Sequence, residues 1–257
     1  MRLALMSISI LRCLWLSAIF LQLVSLQLFA DQSKVHLKSA PIEHVFIPQG
    51  FDDNDNAEVV IQGRFQNACM KTGPIERQIN ILDKTIILRP KMYVYDGEAC
   101  AQVIVPFIQR VTFGHLAAGQ WTVIIAENRD LKLQKLTIRK SVSATPDDYL
   151  YAPVDEVVLL PGPSGTRQKL VVSGNWPISP TNACFNLKEV RTLLGSDNTL
   201  VVQPITEILT GDDCISQSLR QRVFQASVTL EYPIVDDSLI HVRVLNGESL
   251  NKFYESL

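Results

Sequence analysis

No Cys-x-x-Cys pair occurs among the five cysteines of this 257-residue chain, so the close-set thiolate pairs used by zinc ribbons are missing. No Gly-rich phosphate loop precedes a helix-like stretch, which leaves a nucleotide site without support. Histidines are few: His36, His44, His115 and His241. None neighbours a serine in a Gly-x-Ser-x-Gly context, and Gly162-Pro163-Ser164-Gly165 is a proline-bearing turn instead. A triad assembles in space, so a hydrolase stays as the lesser alternative to a non-enzyme. Basic excess is also lacking. The 24 Lys and Arg are scattered among 26 Asp and Glu, for a formal net charge of −2, whereas a nucleic-acid binder needs a concentrated basic face. Long helical stripes are absent as well. Ser216–Phe224 could carry one, but its earlier counterpart reads as a strand, so it is read as β.

What is present begins with residues 1–30. Arg2 and Arg12 precede an uncharged run, Cys13 to Ala30, and Asp31-Gln32-Ser33-Lys34 restores polar composition. A basic start, an apolar middle and a small residue before a polar stretch make a secretory signal peptide. The rival is an uncleaved membrane anchor, since the run could just span a thin bilayer. Arg12 immediately before Cys13 argues against a lipoprotein signal. On either reading the body of the protein is secreted or periplasmic.

One stretch appears twice. Asn67-Ala68-Cys69 is followed by Cys100, and about 115 residues on Asn182-Ala183-Cys184 is followed by Cys214. The second cysteine comes 31 positions later in one case and 30 in the other. With Cys13 in the leader, four cysteines remain in an oxidising compartment. The repeat selects Cys69–Cys100 and Cys184–Cys214 as one disulfide per copy. Each closes a loop of about 30 residues, contributing roughly 3–4 kcal/mol in the chain-entropy picture.

Strand-like runs separated by Gly, Pro, Asn and Asp fill both copies: Glu43–Pro48, Glu58–Phe65, Gln78–Ile81, Thr85–Tyr95 with a break or edge at Pro90, Gln102–Phe107, Arg110–Phe113, Gln120–Ala126 and Leu131–Arg139. Lys71-Thr72-Gly73-Pro74 reads as a turn. In the second copy Asp155–Pro161, Lys169–Trp176 and a closing strand Leu239–Leu245 answer them, and short spacers imply antiparallel neighbours. The expected organisation is 1–30 signal peptide, 31–40 leader segment, 41–140 first β-sandwich, 141–151 linker and 152–257 second β-sandwich.

Gly63 before Asn-Ala-Cys, a cysteine near mid-domain, and Leu116-Ala117-Ala118-Gly119-Gln120-Trp121-Thr122-Val123 before the last strands resemble secreted bacterial immunoglobulin-like β-sandwich domains. The resemblance covers most of Pro41–Lys140 and, less closely, Ala152–Leu257. It implies an all-β fold of two tandem sandwiches, with the Leu-x-x-Gly-x-aromatic-x-Val segment turning a corner and its aromatic in the core. The second copy offers Leu230-Glu231-Tyr232-Pro233 there, without the glycine.

Two constellations are candidates for binding. Asp52-Asp53-Asn54-Asp55-Asn56 gathers the oxygens that calcium requires, and it resembles the Asp-x-Asn-Asp-Asn linker of cadherins at Asp52, Asn54, Asp55 and Asn56. The proline expected after it is replaced by Glu58-Val59, an EF-hand is excluded, and a solvated turn is the favoured reading. No cofactor is otherwise expected. Trp176, beside Asn175 and ahead of Pro177–Pro180, is a candidate ligand contact, whereas Trp121 alternates with Val123 and Ile125 as a core residue does. The functional expectation is a non-catalytic extracytoplasmic binding or scaffolding module whose partner is a protein or cell-envelope component, with no nucleic acid. A carbohydrate-binding module is the alternative. Contact with a membrane follows only if residues 1–30 are uncleaved.

Overall fold

The computed structural model describes residues 34–96, 99–126, 131, 133–162, 167–176, 184–195, 197–209 and 223–254. The expected signal peptide, Cys214 and most of Ser216–Phe224 lie outside the described residues. Within them the chain is all-β. The first half carries β1 (Lys34–Ser39), β2 (Ile42–Phe46), β3 (Ala57–Phe65), β4 (Met70–Asn80), β5 (Thr85–Asp96), β6 (Val105–Gly114), β7 (Gly119–Ile125) and β8 (Gln134–Ile138). The second carries β9 (Val154–Leu160), β10 (Lys169–Asn175), β11 (Cys184–Leu194), β12 (Thr199–Leu209), β13 (Val223–Thr229), β14 (Ser238–Val244) and β15 (Glu248–Tyr254).

In each half two sheets share a core. The sheet β2-β3-β6 packs on a five-stranded sheet in which β5 is flanked by β4 on one side and by β7 and β1 on the other, with β8 outside β7. Val59, Ile61, Ile86, Leu88, Trp121, Val123, Leu136 and Ile138 close that core. The sheets β9-β10-β13 and β11-β12-β14-β15 enclose Val157, Leu170, Val172, Leu200, Val202, Ile240 and Val242. Alternation along each strand sends every second apolar residue inward, as the two-residue side-chain period requires.

The same local geometry recurs in both halves. A Cβ on Gly63 would lie 1.9 Å from the Pro41 carbonyl and 2.7 Å from Phe107; on Gly174 it would lie 2.1 Å from the Pro153 carbonyl and 2.8 Å from Phe224. Only glycine fits where an aromatic ring and a carbonyl converge on one backbone position. Beside each glycine the β2–β3 and β9–β10 ladders shift register. The bulged residues carry Glu43 bound to Arg64 and Asp155 bound to Asn175 (2.6 Å).

Several sequence expectations change. Within the leader segment 31–40, Lys34–Ser39 forms β1, an antiparallel strand on β5 from Lys34↔Asp96 to Ser39↔Lys91. Lys71–Pro74 is not a turn but part of β4, absorbed by a register shift between Thr72 and Ile75. Pro90 does not break β5, because it sits between the stretch paired with β7 and the stretch paired with β1, where no ladder needs its missing N–H. Neighbours are not all antiparallel: β5 pairs β7 and β12 pairs β14 in parallel. The strand at Leu239–Leu245 does not close the chain, since β15 follows and pairs with it. At the second corner the left-handed residue is Asp237, φ 63°, beyond Leu230–Pro233.

Cys69 and Cys100 form a disulfide, with Cα atoms 5.4 Å apart. This suits an oxidising compartment. Among the described residues no helix is long and apolar enough to cross a membrane.

Candidate functional site

Five acidic or basic side chains among the described residues are buried: Asp55, Glu58, Asp148, His241 and Arg243. All five meet where the β14–β15 face of the second half lies on β3, β6 and the loop 47–56 of the first. The strands dictate this. In β14, Ile240 and Val242 point into the second core, so Leu239, His241 and Arg243 point away from it, toward the first half.

Arg243 is the hub. Its Nη2 lies 2.8 Å from Asp148 Oδ1 and 3.2 Å from Asp55 Oδ2, and its Nη1 donates to the Gly50 carbonyl at 3.3 Å. The guanidinium is sandwiched between the rings of Phe51 (4.3 Å) and Tyr151 (4.8 Å). Burial opposes its charge, but Tyr151, Asp55 and Asp148 together hold its pKa above the ordinary value. Burial pushes the Tyr151 hydroxyl up to about 12. Asp148 also accepts the Asn56 N–H (2.7 Å), and Asp55 accepts the N–H groups of Asp52 (3.0 Å) and Asp147 (3.1 Å).

A second cluster adjoins it. Glu58 pairs with Arg110 and accepts the Ser249 hydroxyl at 2.6 Å, while Arg110 reaches Glu248 and the Gly247 carbonyl. His241 Nδ1 is 2.8 Å from Asn251 Oδ1 and 3.7 Å from Glu58 Oε1. Around these charges Phe46, Val60, Leu239 and Phe253 form an apolar patch, with Phe46 and Phe253 edge to face at 5.1 Å. Asp197 accepts the Ile47 N–H at 2.6 Å at the rim.

These environments give the clasp a pH dependence. Burial drives the His241 pKa down to about 3, with Arg243 and Arg110 adding to the fall against the hydrogen bond to Asn251. The folded state therefore excludes a proton that the unfolded chain binds below its ordinary value of about 6.5. Stability is full above that value and falls as pH drops toward 3. Glu58 acts oppositely: burial raises its pKa despite Ser249 and Arg110, so the folded state gains as it protonates. His241→Gln should remove from urea titrations a loss of roughly 1 kcal/mol between pH 7 and 5.5. An unchanged slope in that variant would refute the assignment.

The expected calcium ligands are partly brought together and partly dispersed. Carboxylate oxygens of Asp52, Asp55 and Asp147 lie within 4.8 Å of one another. Burial, then the neighbouring carboxylates, raise Asp52, although its own bond from Asn54 N–H pulls the other way; Asp147 is raised by burial, Asp55 and Asp52. Asn54 instead donates to the Ser143 carbonyl and Asn56 to that of Gly247. Both Asp55 oxygens are engaged, and Arg243 supplies the positive charge. The solvated-turn expectation fails at Asp55, which is wholly buried, because the turn seats the segment after Lys140. Asp53, bound by Lys140 and Ser141, keeps its carboxyl below the ordinary range.

Trp176 is half-buried, its ring 4.7 Å from Phe224 and 6.2 Å from Phe185, and Asn175 is exposed and bonded to Asp155. Neither joins the clasp. His36 faces Asp96 on the β1 edge at 3.2 Å. The sequence reading missed Glu58, Arg110, Asp148, His241 and Arg243 as one site. The available signal was the pairing of His and Arg with aliphatics in Leu239–Val244, which gives that strand a polar second face.

No curated protein and no solved structure matches the chain. Residues 59–135, from the strand carrying Val59 and Ile61 to β8, match the family model of the ORF11 beta-sandwich domain, so this part of the all-β chain is similar to that β-sandwich.

Proposed function

We propose that the chain is a non-catalytic extracytoplasmic binding or scaffolding module made of two tandem immunoglobulin-like sandwiches, 41–140 and 152–257, held at a set angle. Residues 1–30 direct export, and 141–151 connect the sandwiches. One observation carries the reading: every buried acidic or basic side chain among the described residues serves the junction between the halves. Enzymes place perturbed groups in a cleft where substrate can reach them. Here Asp55, Glu58, Asp148, His241 and Arg243 are walled off, and the cleft lined by Thr192, Leu194, Leu200, Leu230, Tyr232 and Ile234 holds one carboxylate, Glu231. Buried charge that fixes register favours one relative orientation over others. A rigid pair of sandwiches presents its loops and strand edges with little ordering entropy left to lose on binding.

Cross-linked capture from the envelope of the exporting cell, with Asp31–Leu257 as bait, tests this. A specific protein or envelope component is the expected result. Hydrolytic turnover that vanishes on replacing one histidine, with thermal stability unchanged, would overturn the proposal.

A further inference from the structure

We infer that the edge of β12 at Thr206–Leu209 docks an extended, antiparallel strand from a protein partner. This rests on the binding-module reading and names its contact surface.

The first half shows what such an edge accepts. Along β5, β7 pairs with Thr85–Leu88 and β1 then continues on the same side along Lys91–Asp96, with Ala40 N–H bonded to the Pro90 carbonyl at 2.9 Å. Along β12, β14 pairs with Thr199–Val202, and Ala152 N–H bonds to the Pro204 carbonyl at 2.7 Å. Pro90 and Pro204, Ala40 and Ala152, Pro41 and Pro153 thus occupy matching places. A bridge joins Tyr151 to Ile205 as Ser39 pairs with Lys91. There the likeness stops. The segment that would run on as a strand turns into the 3-10 turn Asp147–Tyr149, with Asp148 drawn to Arg243 and Asn56. The clasp therefore takes the residues that would have completed the β12 edge.

Backbone direction identifies the open groups. Thr206 N–H bonds to the Leu150 carbonyl at 2.7 Å, so Thr206 and Ile208 turn their polar groups toward this side, while alternate residues serve β11. Leu150 N–H is already bonded to the Asp147 carbonyl. Among the described residues nothing pairs with the Thr206 carbonyl or with the Ile208 N–H and C=O on this side. Ile208 is 65% exposed, whereas its counterpart Val94 packs into the first core at 7%. An incoming strand covers an aliphatic side chain and satisfies a closely spaced pair of backbone bonds, the usual gain of strand addition.

The internal template supplies the probe. In β1, His36 lies opposite Val94, so a synthetic peptide of residues 31–37 places His36 opposite Ile208. Titrated into the isotope-labelled chain Asp31–Leu257, it should shift the Thr206–Leu209 amides and slow exchange at Ile208 at least threefold. Methylation of the His36 backbone nitrogen should abolish both effects without touching the protein. Ile208→Pro should do the same from the other side, because that N–H is not used by β11. An Ile208 amide already protected in the free protein would overturn the inference. So would binding indifferent to both changes. The titration reads the edge alone, whereas envelope capture reads the module, so either can fail without the other.

Discussion

Arg243→Met is expected to lower unfolding stability by about 3–5 kcal/mol, the loss typical of removing one partner from a buried charge network. Asp55 and Asp148 would be left without their common cation in a place water does not reach. Phe51 and Tyr151 would lose the guanidinium between them. Urea unfolding followed by circular dichroism checks the size, and the thermal midpoint should fall on the order of 10 °C. The mechanism has a sharper test. Adding Asp55→Asn and Asp148→Asn to Arg243→Met removes the stranded charges and should recover part of the loss, since replacing a whole buried ion network is often close to neutral. A triple variant less stable than the single one would show that packing, and not stranded charge, dominates.

Trp121→Ala should cost about 3–5 kcal/mol, the range for truncating a fully buried large aromatic. The indole is enclosed in the first core, and its N–H donates to the Ala117 carbonyl at 2.8 Å. The second half manages the matching corner otherwise. Ser238 stands at the register position of Trp121, and Ile234 packs in the core while Gln168 bonds to both its N–H and its carbonyl. The loss should therefore fall on the first half. Amide exchange in Trp121→Ala should accelerate in β5 and β7 far more than in β12 and β14. Equal acceleration in both halves would mean that the two cores unfold as one.

Much of the fold was legible. Gly63 and Gly174 each precede an Asn-Ala-Cys, and the structure explains the glycine by a ring and a carbonyl pressed on its Cα. Trp121 alternates with Val123 and Ile125, and all three are buried. Strand direction was not legible, because a period of two is the same whether the neighbour runs parallel or antiparallel. β1 was hidden in a polar sequence, Lys34–Ser39, whose Val35 and Leu37 remain exposed. The clasp was harder still. Asp52–Asn56 has the composition of a solvated turn, and Asp147-Asp148 that of a linker. The burial of Asp55 and Asp148 depends on Arg243, roughly 95 positions beyond Asp148 and farther still from Asp55, and no local pattern encodes a partner at that distance. Sequence periodicity reports which face of a strand is apolar. It does not report that the polar face is covered by the other half of the molecule.

The central claim is that a buried polar junction holds the halves at one angle, and the distance between them tests it most directly. Spin labels at exposed Leu82 in the first half and Tyr232 in the second allow a pulsed electron–electron resonance measurement on the chain Asp31–Leu257. The account predicts one narrow distance distribution for the wild type, broadened in Arg243→Met under conditions where both cores stay folded. A broad distribution in the wild type, or an unchanged narrow one in the variant, would contradict it.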